Sequence, residues 1–311
     1  MGTEEWHADI QVTETLVKNC LREQFPKLTP IKEVKYIDEG WDNKVFLVNN
    51  KLIFRFPQRK AAVALMEQEN IILKNLPTFP GVAIPILKYI GRPTPFYPYP
   101  FQGYTIIPGL SGHQANLALD DRISSITTLA LFLKQLHSIN DLQARTIGIK
   151  PQGLGSRSNI EHVITILEER IAKIRVRSIC NVHRGYLEQE IITAKKLALS
   201  HDPCLVHGDL DCRHLIFSGK NLTGVIDWGD TDIANRAVDL GVIWSFYPSD
   251  CHSKFFEIYG EVKPEAWKYA RFLGLYSAFS LMLYGVDLND AMLVTEATNS
   301  IMRINPSLII S

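Results

Sequence analysis

Residues 207–214 read HGDLDCRH, and Asp227 follows in GVIDWGD. No other feature of the 311-residue chain constrains its fold as strongly. Each acidic segment comes after a short apolar run, 203–206 in the first case and 222–226 in the second, with a turn signal at Ser218-Gly219-Lys220-Asn221 between them. Paired strands across 205–226 would carry Asp209 and Asp227 to neighbouring strand ends. Two carboxylates placed in that way can meet around one hard cation.

The rest of the chain divides by its periodicity. Apolar residues Leu16, Val17, Cys20, Leu21 and Phe25 predict a one-sided helix over 10–25. Strand-like segments 31–37, 44–48 and 52–56 follow, with Asn49-Asn50 as a tight turn between the last two. Residues 59–76 change to a helical period and stop at Pro77, and strands near 86–90 and 102–107 flank the loop RPTPFYPYPF. The expectation is an antiparallel five-stranded sheet with one inserted helix. Beyond Pro108-Gly109, Asp120 is read as the cap of a long helix, and 159–176, 184–199, 234–246, 264–285 and 288–303 favour helix. The fold class is therefore α+β, with a small sheet lobe at 1–107, a larger mostly helical lobe at 108–311 and a ligand cleft between them.

Composition removes several function classes. With 33 basic and 33 acidic residues the formal charge is zero, so no general nucleic-acid binder is expected. The start, MGTEEWHADI, has neither the basic nor the apolar region of a signal peptide, and Trp6 stands where a myristoylation signal needs Ser or Thr. The longest apolar segment, 273–286, is interrupted by polar residues and is too short to span a bilayer. A cytoplasmic monomer without a membrane partner is expected. Five scattered cysteines with no C-x-x-C pair fit reduced thiols, although Cys204, His207, Cys212 and His214 are a rival zinc quartet by ligand type.

Several residues have the chemistry that phosphoryl transfer requires, which is alignment and positive charge rather than covalent catalysis. Asp209 can accept a hydrogen bond from an acceptor hydroxyl and orient it. Asp227 suits Mg2+, or Mn2+, held together with nucleotide phosphates. His214 is a further candidate ligand through a neutral ring nitrogen. In the first lobe Arg55, in LIFRFP, is a strand cation with Glu69 on the next helix fourteen residues on, and a guanidinium binds phosphate oxygens bidentately. The hairpin segment with Gly40 and Asp42 lies where a phosphate-covering loop would be; no Walker-type glycine motif occurs.

Taken together, FRFP with ENIILKNL, GYTIIPG, LKQLHSI, HGDLDCRHLIF and LTGVIDWGD resemble the aminoglycoside phosphotransferase family, its gentamicin-type members above all, and also macrolide phosphotransferases. The resemblance runs from about Val34 to Gly260 and implies a two-lobed protein-kinase-like fold. It implies an enzyme moving the γ-phosphate of ATP or GTP to an aminoglycoside hydroxyl, with Asp209 as base, His214 and Asp227 as metal ligands and Arg55 with Glu69 positioning phosphates. Thr105 to Ile107 would contact the purine, and Asp239 would brace the catalytic loop. Only eleven residues separate Asp227 from Asp239, which argues against a protein substrate. Asp230, Asp232, Asp250 and Glu257 are candidates for holding the amines of an antibiotic, whereas Trp244, Phe246 and Tyr247 can line an apolar acceptor pocket. A macrolide, choline or thiosugar acceptor, or a silent nucleotide-binding module, are the alternatives.

Overall fold

The fold is described by a computed structural model covering residues 9–39, 43–151, 153 and 157–310. It separates into two compact units, one formed by the chain up to Pro77 with Ile84–Ile107, the other by Thr78–Ala83 with everything from Pro108 onward.

The smaller unit begins with α1 (Glu14–Gln24), whose first turn is held by Thr13 Oγ1 accepting from Leu16 N at 3.2 Å. Strands β1 (Val34–Glu39), β2 (Asn43–Val48) and β3 (Leu52–Pro57) form a meander, followed by helix α2 (Ala61–Asn75), β4 (Leu87–Gly91) and β5 (Phe101–Thr105). Every pairing is antiparallel, in the spatial order β1-β2-β3-β5-β4. Asn49 and Asn50 adopt φ of 51° and 55°, the left-handed pair that a two-residue hairpin loop needs and that asparagine tolerates. The core beneath the sheet is aromatic: Phe56 stacks on Phe101 with centroids 4.5 Å apart, and Phe46, Phe54 and Tyr97 are fully buried around them.

The larger unit holds β6 (Leu110–Ser111), α3 (Leu119–Leu136), α4 (Asp141–Thr146), α5 (Ile160–Val176), β7 (Asn181–Val182) and α6 (Arg184–Lys195). Four short strands and four helices follow: β8 (Pro203–Val206), β9 (Leu215–Ser218), β10 (Asn221–Val225), β11 (Asp232–Asn235), α7 (Ala237–Ser245), α8 (His252–Tyr259), α9 (Pro264–Asp287) and α10 (Ala291–Ile304). The chain closes with β12 (Ile309–Ile310). Helices α5, α7 and α10 pack against α9. That central helix is apolar nearly all round because it is surrounded, which accounts for the long apolar segment near its C-terminal half. Among the described residues no helix is long and apolar enough to cross a membrane.

Three local expectations change. The turn at 218–221 joins β9 to β10, whereas β8 pairs antiparallel with β11, with Val206 opposite Asp232. Residues 234 and 235, expected to begin a helix, instead end strand β11, and α7 starts only at Ala237, where Asn235 Oδ1 accepts from Ala237 N at 3.0 Å. Asp120 does not cap α3; the helix begins at Leu119, and Asp121 reaches back to Ala118 N at 3.1 Å. A carboxylate within the first turn satisfies an orphan N–H as well as one before it does.

Candidate phosphotransfer site

The segment that follows β8 is fixed from behind by one buried carboxylate. Asp239, fully buried in the first turn of α7, accepts from His207 N (2.7 Å) and Gly208 N (3.0 Å). It also accepts from Nε2 of His137, the residue that follows α3 (3.0 Å), whose Nδ1 in turn meets Tyr259 OH at 2.7 Å. Burial alone would raise the Asp239 pKa, yet these donors hold it below the ordinary aspartate value of 3.8. The family resemblance implies this bracing position for Asp239, whereas its partner His137, in LKQLHSI, carries no such signal.

Gly208 adopts φ of +90°, and a Cβ there would lie 1.9 Å from Asp230 O. Segment 207–209 and segment 227–230 thus cross at backbone contact, which only glycine permits. Gly208→Ala is expected to cost on the order of 3 kcal/mol, from crowding and φ strain together, measured as a lowered denaturant midpoint. A second tie comes from His207, whose Nε2 donates to Ile226 O at 3.0 Å and whose Nδ1 accepts from Asp209 N at 3.3 Å. Complete burial lowers the His207 pKa and keeps the ring neutral, as those two roles require.

Asp209 and Asp227 lie at the two sides of this crossing, with His214 between them. His214 Nδ1 donates to Asp209 O at 2.6 Å, which fixes the tautomer and leaves Nε2 as the free lone pair. Nε2 lies 3.6 Å from Asp227 Oδ2. Asp227 itself has φ of +64°, a left-handed conformation that an aspartate rarely adopts without a reason in its surroundings. Asp211, in contrast, uses its carboxylate inside the loop, accepting from Arg213 N at 2.7 Å and lying 3.3 Å from Arg213 Nη2.

Among the described residues one group of three can hold a metal ion, namely Asp209, Asp211 and His214. The hydrogen-bond pattern favours the other side of the imidazole. With Nδ1 protonated and Asp211 engaged, His214 Nε2 and Asp227 Oδ2 face each other 3.6 Å apart, beyond hydrogen-bond distance, and are of the right type to hold a hard cation. Burial depresses the His214 pKa, but Asp211 and then Asp209 and Asp227 raise it overall, so cation binding at Nε2 competes with its protonation and weakens as pH falls. The zinc quartet does not assemble. Both ring nitrogens of His207 are used, and burial pushes Cys204 up to about 12 and Cys212 well above the usual thiol range.

One neighbour of Asp209 had no signal in the sequence. Arg157, in the stretch before α5, donates through Nη2 to Asp209 Oδ1 in a close ion pair. Oδ2 faces Arg213 Nη2 at 3.9 Å and His214 Nδ1 at 3.8 Å, neither within hydrogen-bond distance. Burial would raise the Asp209 pKa, but Arg157, His214 and Arg213 outweigh it and hold the carboxyl well below the usual range. Asp230 goes the other way, pushed up to about 6 by burial and the charge of Asp209.

In the smaller unit Arg55 Nη1 lies 2.9 Å from both oxygens of Glu69, and Glu69 is 1% exposed. This is not a surface ion pair. Gln102, paired opposite Arg55 across β3 and β5, donates to Glu69 Oε2 at 2.5 Å and completes the grip; its role was not foreseen. Thr105 ends β5, exposed, and Ile107 is the last residue of the unit. Gly40 and Asp42 lie outside the described residues.

The acidic candidates for amine recognition separate. Asp230 adjoins Gly208, whereas Asp232 is buried in β11, where its Oδ1 accepts from Ile233 N at 2.7 Å. Asp250 and Glu257 are exposed around α8, meeting Ser249 and Lys254. Phe246 and Tyr247 are fully buried and serve as core.

A family model described as a phosphotransferase enzyme family (APH) matches residues 33–273. The chain belongs to that phosphotransferase family. An aminoglycoside 3'-phosphotransferase of Escherichia coli is 26% identical over 183 residues, 54% of this chain and 63% of the relative. One from Salmonella typhimurium is 28% identical over 179 residues, 52% and 59% of the two chains. The matched region therefore spans about six-tenths of those relatives' own length. Among solved structures, the GDP complex of aminoglycoside 2'-phosphotransferase-IIIa superposes with a TM-score of 0.70 at 22% identity, covering 94% of this chain and 98% of that one. Macrolide 2'-phosphotransferase MphH from Brachybacterium faecium gives 0.61 at 17% identity, covering 94% and 99%. These likenesses establish the kinase-like phosphotransferase fold.

Proposed function

We propose that the protein transfers the γ-phosphoryl group of ATP or GTP to a hydroxyl of an aminoglycoside antibiotic. The observation that carries this reading is the crossing of segments 207–209 and 227–230, which sets Asp209 beside His214, with His214 Nε2 and Asp227 Oδ2 3.6 Å apart. Asp209 Oδ2 accepts the hydrogen bond of the acceptor hydroxyl, orients its oxygen toward the phosphorus and takes the proton late. A carboxyl held so far down is a weak base, which suits a transition state with little bond formation to the nucleophile. His214 and Asp227 hold Mg2+, or Mn2+, and a bound ion supplies positive charge to the phosphate oxygens. Arg55, fixed by Glu69 and Gln102, offers its guanidinium to the nucleotide phosphates, and Thr105 to Ile107 contact the purine. The acceptor class is supported by the curated relatives, both aminoglycoside 3'-phosphotransferases. Five unpaired cysteines support work in a reducing, cytoplasmic compartment, and we expect a monomer.

The test is to incubate the purified protein with magnesium, ATP or GTP and a panel of aminoglycosides and macrolides, and to follow products by mass spectrometry. Gain of one phosphoryl group on an aminoglycoside is expected; product with macrolides alone, or none at all, overturns the acceptor. Asp227→Asn keeps the size of the side chain and removes its charge. It is expected to lower turnover by roughly 100-fold or more and to weaken magnesium-dependent nucleotide binding, read by calorimetry with and without the ion.

A further inference from the structure

The charge around Asp209 is unexpected for an acceptor side that receives polycations. Arg157 pairs with Oδ1, and Arg213 stands 3.9 Å from Oδ2. Arg157 is not a loose surface side chain. Its carbonyl accepts from Tyr269 OH at 2.7 Å, and its guanidinium lies 5.7 Å from the Tyr276 ring. A third guanidinium, of Arg170, lies 4.4 Å from the same ring and bonds Ser280 Oγ. Among the described residues no carboxylate is in ion-pair contact with Arg170, and burial followed by the charge of Arg157 lowers its pKa. Arg213 in turn lies 4.7 Å from the Tyr284 ring. Tyr276, Ser280 and Tyr284 recur every four residues along α9, so one face of that helix gathers three arginines beside the candidate base.

A neutral hydroxyl on the carbon next to the reacting one can accept a guanidinium N–H; an ammonium there cannot, and meets like charge in a partly buried setting. We propose that Arg157 is a specificity-determining residue for the acceptor, admitting to Asp209 a hydroxyl flanked by other hydroxyls and rejecting one flanked by an amine. This rests on the phosphotransfer reading with Asp209 facing the acceptor. The amines of the antibiotic then lie away from the reacting carbon.

Two kanamycins that differ only in bearing a hydroxyl or an amine on the carbon beside the 3'-hydroxyl make the matched pair. With the wild-type protein the hydroxyl-flanked compound is expected to have the higher kcat/KM by roughly ten-fold or more, and NMR of the product is expected to show phosphate on a hydroxyl with no amine neighbour. Arg157→Gln is expected to shrink that ratio by about the same factor, whereas Arg157→Lys retains most of it. Because both rates come from one preparation, partial misfolding of a variant cancels from the ratio. A ratio unchanged in Arg157→Gln, or wild-type product phosphorylated beside an amine, overturns the proposal while leaving phosphotransfer intact. A wild type that phosphorylates none of the compounds overturns the function reading and, with it, this one.

Discussion

Asp209→Ala is expected to lower turnover by roughly 10²–10⁴-fold while nucleotide affinity stays within a few-fold of wild type. The split follows from where the carboxylate stands. It is bracketed by Arg157, Arg213 and His214 in the larger unit, and Arg55 with Glu69 and Gln102 belongs to the smaller one. Removing it takes away the group proposed to orient the acceptor without touching the residues proposed to hold phosphates. Steady-state kinetics with a phosphorylated-product readout, paired with calorimetric titration of the nucleotide, check both halves. Turnover within two-fold of wild type would remove Asp209 from its proposed role.

The second large effect is expected at Asp239, which touches nothing in the proposed chemistry. Asp239→Ala leaves two backbone N–H groups and the His137 ring without their shared buried acceptor. The loss is expected to be about 3–5 kcal/mol of stability, the range for stripping one partner from a buried charged network. Chemical denaturation should show the lower midpoint, and turnover should fall as segment 207–214 loses its anchor. The pH dependence has a definite sign. Because the folded-state pKa of Asp239 lies below its ordinary value of 3.8, its contribution is fully present above that value and is lost as pH falls below it. Wild-type stability is therefore expected to decline on acidification below about pH 4 more steeply than that of Asp239→Ala.

Much of this site was legible in the chain, because the features that carry it are local. HGD and the later VIDWGD are short segments whose residue types suggest their own chemistry, whereas the backbone crossing at Gly208 appears only in the structure. The five-stranded sheet was legible from alternating apolar residues and the Asn49-Asn50 turn. The Arg55–Glu69 pair was reachable through the resemblance, which implies a cation on that strand and an acidic partner on the next helix.

What the sequence determined by itself is the sheet with its inserted helix and, through its resemblance to the family, Asp209, His214, Asp227 and Asp239 as candidates. The sheet follows from periodicity and the candidates from motif, both properties of neighbouring residues. Only the tertiary structure decided that β8 pairs with β11 rather than with the strand before Asp227, since two short apolar strands are equally good partners until packing chooses between them. It also decided that Asp232 is buried, and that Arg157, fifty-two positions before Asp209, grips its carboxylate. An ion pair between distant segments leaves no periodic trace in the chain, because its partners meet only once the intervening helices and strands have folded.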